Sequence, residues 1–436
     1  MAKLSAFLKS NIFPILLVNF IGTLGYGIIL PFLAFLIIDF GGNAVFYGII
    51  ASTYPMFQMI GAPVLGKWSD KIGRKRVLLI SQAGTLLSWL IFLLAFFVPL
   101  DELFKIEMEG FGVLGFTIPL IVILLARSLD GLTGGNISVA NAYLSDVSSE
   151  EDRKKNFGKM SASMSLGFML GPAIAGLLAA FPNSNLLTII VAAFISLVGL
   201  LAIYFFLPEV KLKEAVYHCP KAKLKKVFGA EYKECHKMKE KESSNWKTII
   251  TQGKAPIMIT LFFLIFLAFN FFYATFSMYS STSLAWSAEK VGLFFTILSS
   301  VMILFQGPVL SWLSDKYSEE ILFTVGAFVM VFSFSCLTST HSLWLYTGAV
   351  LYGVGNGIMW PSYLSILSKV GSANNQGALQ GIANSVGSFA SIIGLVFGGF
   401  LLAKLSKNIY FLSAFLLLII SLVGWFLARK VRVNKV

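Results

Sequence analysis

The chain has 436 residues, of which 57% are hydrophobic and 13% charged, and its mean hydropathy is +0.80. A soluble fold of this composition would expose too much apolar surface, so we expect an all-α membrane protein that crosses the bilayer repeatedly. The net charge of +13 does not indicate a nucleic-acid partner, because the cations lie in segments between apolar stretches.

Apolar stretches long enough to cross roughly 30 Å of hydrocarbon recur along the chain. The first follows Lys3 and Lys9, but it is too long for a signal peptide and lacks a small-residue cleavage site. We predict a first bundle over 1–208, a hydrophilic connector over 209–254 and a second bundle over 255–436. The two bundles share twelve predicted spans equally: 11–38, 45–66, 77–99, 117–143, 157–180, 184–207, 255–282, 289–312, 320–339, 343–369, 378–403 and 408–428.

Lysine and arginine are concentrated in the segments on one side of these spans. That side carries residues 67–76, residues 153–155, the connector and the tail from Arg429. The opposite segments are poor in cations, with Lys404 and Lys407 as a mild exception, or acidic at 101–109. By the positive-inside rule we expect the cation-rich side, and with it both termini, to be cytoplasmic, in the inner cell membrane.

The second and third spans are joined by a polar stretch, GKWSDKIGRK, at residues 66–75. We predict a tight loop at the membrane surface. Residues 63–65 and 69–71 recur as 308–310 and 314–316, at a constant separation of 245 residues (from 70 to 315). A register kept over that separation predicts two related halves, the parallel repeat found in many transporters.

The fourth span carries the only ionisable residues placed well inside an apolar segment, Arg127 and Asp130. They are three apart and share a helix face. A charge at membrane depth costs at least about 2.5–3.5 kcal/mol on insertion scales, so each must pair or face water and is a functional candidate. Gly134, Ser138 and Asn141 continue this stripe, and we predict that the face lines a cavity. The alternative is a structural ion pair that only fixes helix packing.

The fifth span contains GFMLGPAIAG at residues 167–176, with Gly167, Gly171, Pro172 and Gly176. Glycines four apart let helix backbones approach closely, and proline bends a helix by removing a hydrogen bond. We predict that this row is a close contact between the two bundles in the outer half of the membrane. The alternative is that the glycines face lipid and only add flexibility.

The connector alternates Lys with Glu and holds two of the three cysteines, in the mirrored pairs His218-Cys219 and Cys235-His236. Thiolates and imidazoles are preferred zinc ligands, but this spacing matches no standard zinc finger. We therefore predict no metal site and a solvated, partly helical linker, with zinc as the alternative. Its lysines could contact anionic lipid.

The polar stretch between the second and third spans resembles, position for position, the loop signature of the major facilitator superfamily. The matching residues are Gly66, Asp70, Gly73, Arg74 and Lys75. The second copy keeps Asp315, but Ser311, Ser318 and Glu319 replace the two glycines and the arginine. The resemblance implies a conformational switch that holds the two halves together on the cytoplasmic side. The alternative is that these charges only orient the loop.

Two further segments resemble signatures of this superfamily. Arg127 and Gly131 resemble its fourth-helix signature, which is associated with proton coupling, and GFMLGPAIAG resembles the motif of its antiporter branch. Residues 47–79 and QGALQG at 376–381 are similar to the tetracycline and multidrug efflux branch. Tetracycline exporters carry an acid in the first span where this chain has Gly22, so Asp130, with Arg127, is the implied proton-coupling residue.

The superfamily turns certain spans toward a central substrate cavity. Besides Ser138 and Asn141, the predicted lining residues are Tyr26, Gln58, Asn270, Tyr273, Asn356, Trp360, Gln380 and Asn384.

The resulting hypothesis is a monomeric secondary transporter that exports a small amphipathic molecule in exchange for protons, without a cofactor. The glycine-rich stretches lack the lysine and Ser/Thr of a phosphate-binding loop, so we expect neither an ATP hydrolase nor another enzyme. One alternative is a proton symporter or facilitated importer of a nutrient. Another is a receptor or scaffold that transports nothing.

Overall fold

The structure is a computed structural model. It describes residues 12–108, 112–134, 136–148, 153–209, 224–227, 230–233, 251, 253–370 and 376–433.

The first half is a bundle of helices with one β-hairpin between the third and fourth. Asn43 begins the second helix by accepting hydrogen bonds from the amides of Val45 and Phe46. The hairpin packs onto the bundle through Phe116, whose ring lies 4.7 Å from that of Phe46. The elements are α1 (Phe13–Asp39), α2 (Ala44–Ile72), α3 (Arg74–Leu94), β1 (Glu102–Met108), β2 (Gly112–Thr117), α4 (Ile118–Thr133), α5 (Asn136–Val147), α6 (Arg153–Leu178) and α7 (Ser184–Phe206).

Within the connector over 209–254, the described residues are 209, 251, 253–254 and two strands, β3 (Leu224–Val227) and β4 (Ala230–Lys233), which pair antiparallel. The predicted partly helical linker otherwise falls outside the described residues. The possible zinc ligands His218, Cys219, Cys235 and His236 also lie outside them.

The second half has the same succession of long helices as the first, with different interruptions. Its elements are α8 (Ala255–Thr282), α9 (Ala288–Leu304), a π-helical turn (Phe305–Val309), α10 (Leu310–Ser314), α11 (Glu319–Leu337), α12 (Ser342–Val370), α13 (Gln376–Leu405), a 3-10 turn (Ser406–Asn408) and α14 (Ile409–Val433).

Helices occupy each of the twelve predicted positions in the described part of the chain. By length and composition, seven helical stretches there can cross a membrane, and one of these, Gly381–Arg429, includes most of both α13 and α14. An eighth is α1, which is bent by 46° between Phe13–Ile29 and Phe32–Asp39. The count of twelve membrane crossings stays a prediction.

The stretch at 66–75 is not the loop that the sequence predicts. α2 continues through Ile72 and α3 begins at Arg74, so Gly73 alone forms the corner. Its φ of +101° lies in a region that favours glycine, and a Cβ there would collide with the carboxylate of Glu209. A single glycine thus replaces a loop.

The predicted fourth span is also divided into two helices, which its sequence does not indicate. α4 ends at Thr133 and α5 begins at Asn136. The break leaves backbone carbonyl groups without a hydrogen-bond donor from the helix, and side chains of other helices donate to them instead. Ser81 donates to the carbonyl of Thr133, and Gln58 donates to that of Gly134 at 2.8 Å. The predicted stripe through Ser138 is therefore interrupted, because Ser138 is exposed whereas Asp130 is buried.

The two copies of the repeat differ at their shared proline. Pro63 lies inside the continuous helix α2, whereas Pro308, 245 residues further on (from 63 to 308), lies in the π-helical turn between α9 and α10. Proline lacks the amide that continues an α-helical ladder, and π turns often form where that ladder is interrupted.

The two bundles meet at the end of the molecule that carries Gly41, which we call the Gly41 end. The hydroxyl of Tyr47 donates to the carbonyl of Tyr273 at 2.9 Å. Glycines bring helix backbones together at two more places. A Cβ on Gly48 would strike the backbone of α13, and one on Gly176 would strike that of Gly292. At the opposite end, which carries Gly73, Cβ atoms on Gly66 and Gly381 would meet open space. The molecule is therefore closed at the Gly41 end.

Candidate functional site

Arg127 and Asp130 form the buried ion pair that their spacing predicts. Nη1 of Arg127 lies 3.1 Å from Oδ2 of Asp130, and the two residues are 1% and 8% exposed. The hydroxyl of Thr85 on α3 also hydrogen-bonds to Asp130. The pair lies near the middle of the stretch Ile118–Val147, which is long and apolar enough to cross a membrane. Ionisable residues are rare inside membrane segments, so this pair is a candidate functional site.

Two tyrosine rings cover the guanidinium of Arg127. Its Cζ lies 4.8 Å from the ring centroid of Tyr54 and 5.8 Å from that of Tyr26. Nε and Nη2 of Arg127 have no hydrogen-bond partner within the described part of the chain. The ring faces supply a cation–π interaction in place of those hydrogen bonds. The predicted cavity residue Tyr26 therefore lies at the ion pair, and so does Tyr54, which was not predicted.

Gln58 joins this cluster from α2. Besides its bond to Gly134, its amide nitrogen lies 3.1 Å from the hydroxyl of Tyr54. Gly131 allows the close approach, because a Cβ there would strike the backbone of Tyr54. The structure thus brings together the ion pair, Tyr26 and Gln58 in the first bundle.

At the Gly73 corner, Arg74 binds a partner that was not predicted. Its Nε lies 2.9 Å from Oδ2 of Asp146 at the end of α5, and its Nη1 donates to Ser69 at 2.6 Å. Lys75 donates to the carbonyl of Tyr204 at 2.8 Å. The side chain of Asp70 is not among those that the structure describes, so its predicted role is untested.

The second copy of this corner carries the same bridge with its charges reversed. Glu319 occupies the position of Arg74, and its carboxylate binds Lys369 at 2.6 Å and Ser365 at 2.6 Å. Lys369 and Asp146 each lie one residue before the end of their helix, α12 or α5. Asp315, the predicted counterpart of Asp70, is exposed.

The predicted glycine row on α6 divides between two neighbours. Cβ atoms on Gly167 and Gly171 would strike α1, at Thr23 and Gly27, whereas one on Gly176 would strike Gly292 on α9. Pro172 lies inside α6 and is buried. The prediction that the whole row joins the two bundles is therefore wrong, because only Gly176 reaches across, while Gly167 and Gly171 hold α6 against α1.

The predicted cavity residues of the second bundle lie in and beside an aromatic cluster. Trp360 on α12 stacks on Tyr363 at 5.8 Å and lies 5.7 Å from both Phe262 and Phe266 on α8. Asn270 donates to the hydroxyl of Ser391 at 3.0 Å and so ties α8 to α13.

The remaining cavity residues are scattered. Asn356 is buried, with its amide nitrogen 3.3 Å from Sδ of Met302. The ring of Tyr273 lies parallel to that of Phe295 at 6.4 Å. Asn384 is exposed and Asn141 half-buried, and the side chain of Gln380 is not described. Their role as cavity lining stays a prediction.

Sequence reasoning missed several residues of the site. Tyr54, Gln82 and Thr85 are uncharged and lie in apolar spans, so only their surroundings in the fold distinguish them. Tyr54 and Thr85 contact the ion pair, and Gln82 lines the same small cavity as Asp130. Asp146 could have been noticed in the sequence, because it is an acid just after the predicted fourth span, on the side of the membrane that carries the basic stretch at 66–75.

Comparisons with known proteins give the family and the fold of the chain. The profile of the Major Facilitator Superfamily matches residues 15–387 and 258–436. The chain is 26% identical to the class D tetracycline resistance protein of Salmonella ordonez over 398 residues, which are 90% of each protein. It is 25% identical to multidrug resistance protein 2 of Bacillus subtilis (strain 168) over 425 residues, 95% of this chain and 94% of that protein. The inward-open xylose transporter XylE from E. coli shares the fold, with a TM-score of 0.67 and 14% identity over 95% of this chain and 96% of that one.

Proposed function

The chain belongs to the Major Facilitator Superfamily, and on that premise we propose that it exports a small amphipathic molecule in exchange for protons. It is an integral membrane transporter similar to tetracycline and multidrug resistance proteins. In the proposed cycle the two bundles rock about a substrate site between them and expose it to one side of the membrane at a time. Monomers suffice for this cycle.

One observation carries the proposal: the ion pair of Arg127 and Asp130, buried at mid-depth under two tyrosine rings. Asp130 is the proposed proton carrier and Arg127 its partner. Protonation of Asp130 removes the charge that holds the guanidinium, so the protonation state of one carboxylate can rearrange Tyr26 and Tyr54 beside the substrate site. An ion pair with only a packing role would not respond to the proton gradient.

The proposed orientation places the Gly73 end, the connector over 209–254 and both termini in the cytoplasm. The conformation closed at the Gly41 end then corresponds to the state that accepts substrate from the cytoplasm. Two corners of the repeat are proposed to control the exchange of states rather than to bind substrate, since they lie at the ends of helices and far along the chain from the ion pair. Their residues are Gly66, Asp70, Gly73, Arg74, Lys75 and Asp315.

Substrate would bind between the polar cluster of the first bundle and the aromatic cluster of the second. Pockets for small molecules are mostly apolar, with a few polar groups that fix orientation. Tyr26, Gln58, Asn356 and Trp360 would provide such a surface.

Transport into inside-out vesicles tests the proposed direction. When respiration acidifies the vesicle interior, an exporter that exchanges substrate for protons accumulates tetracycline or a dye from an amphipathic panel. The Asp130→Asn variant serves as the matched control. Energy-dependent expulsion of the probe instead would identify a proton symporter. If the protein moves neither a compound of the panel nor any metabolite that differs between cells with and without the protein, a scaffold is favoured.

A further inference from the structure

A small cavity lies inside the first bundle, next to Asp130. Its wall is formed by residues of α1, α2, α3, α4 and α7, including Gly25, Thr85 and Ser196, and none of its lining residues comes from the second bundle. The cavity has about 20 Å³ of room for water. A site needs roughly 10–15 Å³ on this measure, and two to four polar partners, to hold a water molecule. The cavity is therefore the right size for water and too small for a drug.

Polar groups line this cavity although it is surrounded by apolar helices. Gln82 donates from its amide nitrogen to the carbonyl and to the hydroxyl of Ser196, at 3.1 and 2.9 Å, which joins α3 to α7. Thr85 reaches Asp130 from the same face of α3. The carboxylate of Asp130, the hydroxyl of Thr85 and the hydroxyl of Ser196 together offer a water molecule the partners that it requires.

The charged and titratable groups around Asp130 lie on three helices. Arg127 faces it from α4, Tyr26 from α1 and Tyr54 from α2. From α3 and α7 it is approached by uncharged residues, Gln82, Thr85 and Ser196. Tyr26 also lies within electrostatic reach of Tyr273 of the second bundle. Asp130 thus has the cavity on one side, while Arg127 and the tyrosine rings link it to the space between the bundles.

We propose that Asp130 exchanges its proton with water held in this cavity, so that the proton travels within the first bundle and not through the substrate site. A hydronium ion in the cavity gives its proton to a carboxylate oxygen of Asp130 and remains as water. The ion pair becomes a neutral acid beside a guanidinium that is free to move. Proton and substrate then occupy separate sites, which are coupled through Arg127, Tyr26 and Tyr54. This inference rests on the proposed proton-coupling role of Asp130.

Filling the cavity tests the route without any substrate. Gly25 lines the cavity, and a Cβ there would meet only Trp89, at 4.0 Å, so Gly25→Val is the substitution chosen to add bulk to the cavity. Ala83→Val is the matched control, since it adds bulk on the exposed face of α3, two residues from Thr85 and outside the cavity lining. Thr85→Val removes the hydroxyl at nearly constant shape, and Thr85→Ser restores it.

The readout is the infrared carbonyl band of the protonated carboxyl of Asp130 in proteoliposomes, identified by its loss in Asp130→Asn. After a drop in pH, we expect Gly25→Val to delay the band about a hundredfold, which is the low end of what a positioned proton partner contributes. Thr85→Val should delay it less, while Thr85→Ser and Ala83→Val should keep the wild-type rate.

Two outcomes separate the inference from the function on which it rests. A band that forms at the wild-type rate in both Gly25→Val and Thr85→Val would overturn the inference alone. A delay by Asn384→Trp in the second bundle would then place the proton route between the bundles. If the wild-type protein shows no such band at any pH, Asp130 does not titrate and the proposed proton coupling itself is wrong. Should Gly25→Val fail to fold, the comparison of Thr85→Val with Thr85→Ser still decides the matter.

Discussion

The buried pair of Arg127 and Asp130 shows how charged residues mark a candidate site in an apolar chain. A charge at the centre of a membrane helix costs at least about 2.5–3.5 kcal/mol on insertion scales, so it remains only where partners offset that cost. Here the partners are each other, Thr85, and the faces of Tyr26 and Tyr54. The pair is therefore an arrangement that a change of protonation can alter.

Replacing Asp130 with Asn should separate coupling from substrate movement. Asn keeps the size of the side chain but neither titrates nor holds Arg127 by charge. We expect transport against a gradient to be lost, while exchange of substrate at equal concentrations on both sides persists. Both are measured in the same proteoliposomes, with Asp101→Asn, an exposed acid, as the control. Uphill transport by Asp130→Asn at the wild-type rate would contradict the proton-coupling role.

Two glycines of the same motif should respond in opposite directions to alanine. Gly73→Ala forces a side chain into φ +101° and against Glu209, and should destabilise the protein by about 1–3 kcal/mol. Gly66 lies inside α2 with open space around it, so Gly66→Ala should be neutral or stabilise by up to about 1 kcal/mol. Thermal unfolding in detergent measures both. Equal midpoints for the two variants would show that the corner is not strained by a side chain.

The sequence located the ion pair because charge in an apolar helix is visible without coordinates. It did not reveal Tyr54 or Thr85, since an uncharged residue in an apolar span has no distinguishing pattern until its neighbours are known. Arg74 was identified, but its partner Asp146 lies 72 residues away along the chain, and only the fold brings them together.

At the scale of helices, positions were predictable and interruptions were not. The apolar lengths placed a helix at each predicted span, because hydrophobic length is a property of the sequence alone. The break after Thr133 depends on side chains of other helices, Gln58 and Ser81, that satisfy the exposed carbonyls. The π-helical turn contains Pro308, but Pro63 at the same position of the repeat lies in a continuous helix, so proline alone does not predict the turn. The glycine row on α6 was recognised from the spacing of its glycines in the sequence, but the two helices that it contacts, α1 and α9, were not.

Two glycines on α6 should differ in what they disrupt. Gly176→Leu would push α6 away from Gly292 on α9 and so oppose closure of the Gly41 end, whereas Gly171→Leu would separate α6 from α1 within the first bundle. We expect Gly176→Leu to fold and to leak protons, and Gly171→Leu to lower the unfolding temperature.

Passive proton leak and thermal unfolding of both variants, with Leu177→Ala on the exposed face of α6 as the control, check this difference. Wild-type leak and wild-type export in Gly176→Leu would contradict the idea that this contact seals the outer half.

The reversed bridges predict rescue by exchange of charges. Glu319→Lys places two cations together at the start of α11 and should slow turnover, and the double variant Glu319→Lys with Lys369→Glu should restore it. The effect on stability should stay within about 1 kcal/mol, because Lys369 is exposed and Glu319 only half-buried. Loss of Arg74 should cost more, since its side chain is only 10% exposed. If the double variant is as slow as Glu319→Lys, the contact does not act as a bridge.

At the scale of the whole molecule, the two halves share one topology but differ in the side chains that they contain. The first bundle holds the ion pair and the polar residues around it, and the second presents the aromatic cluster of Trp360, Phe262 and Phe266. The bundles are joined at the Gly41 end through Tyr47, Gly48 and Gly176. Two states that differ by only a few kcal/mol can be exchanged when one ion pair is made or broken. The account therefore predicts that substrate movement and proton movement are obligatorily opposed.

Proton flux driven by substrate tests this claim most directly. Purified protein is reconstituted into liposomes that contain a pH-sensitive dye, with no pH gradient imposed, and a transported compound is added outside. The account predicts that the interior becomes more alkaline as substrate enters and protons leave, and that Asp130→Asn abolishes this signal while substrate still enters. Acidification of the interior, or an unchanged signal with Asp130→Asn, would contradict it.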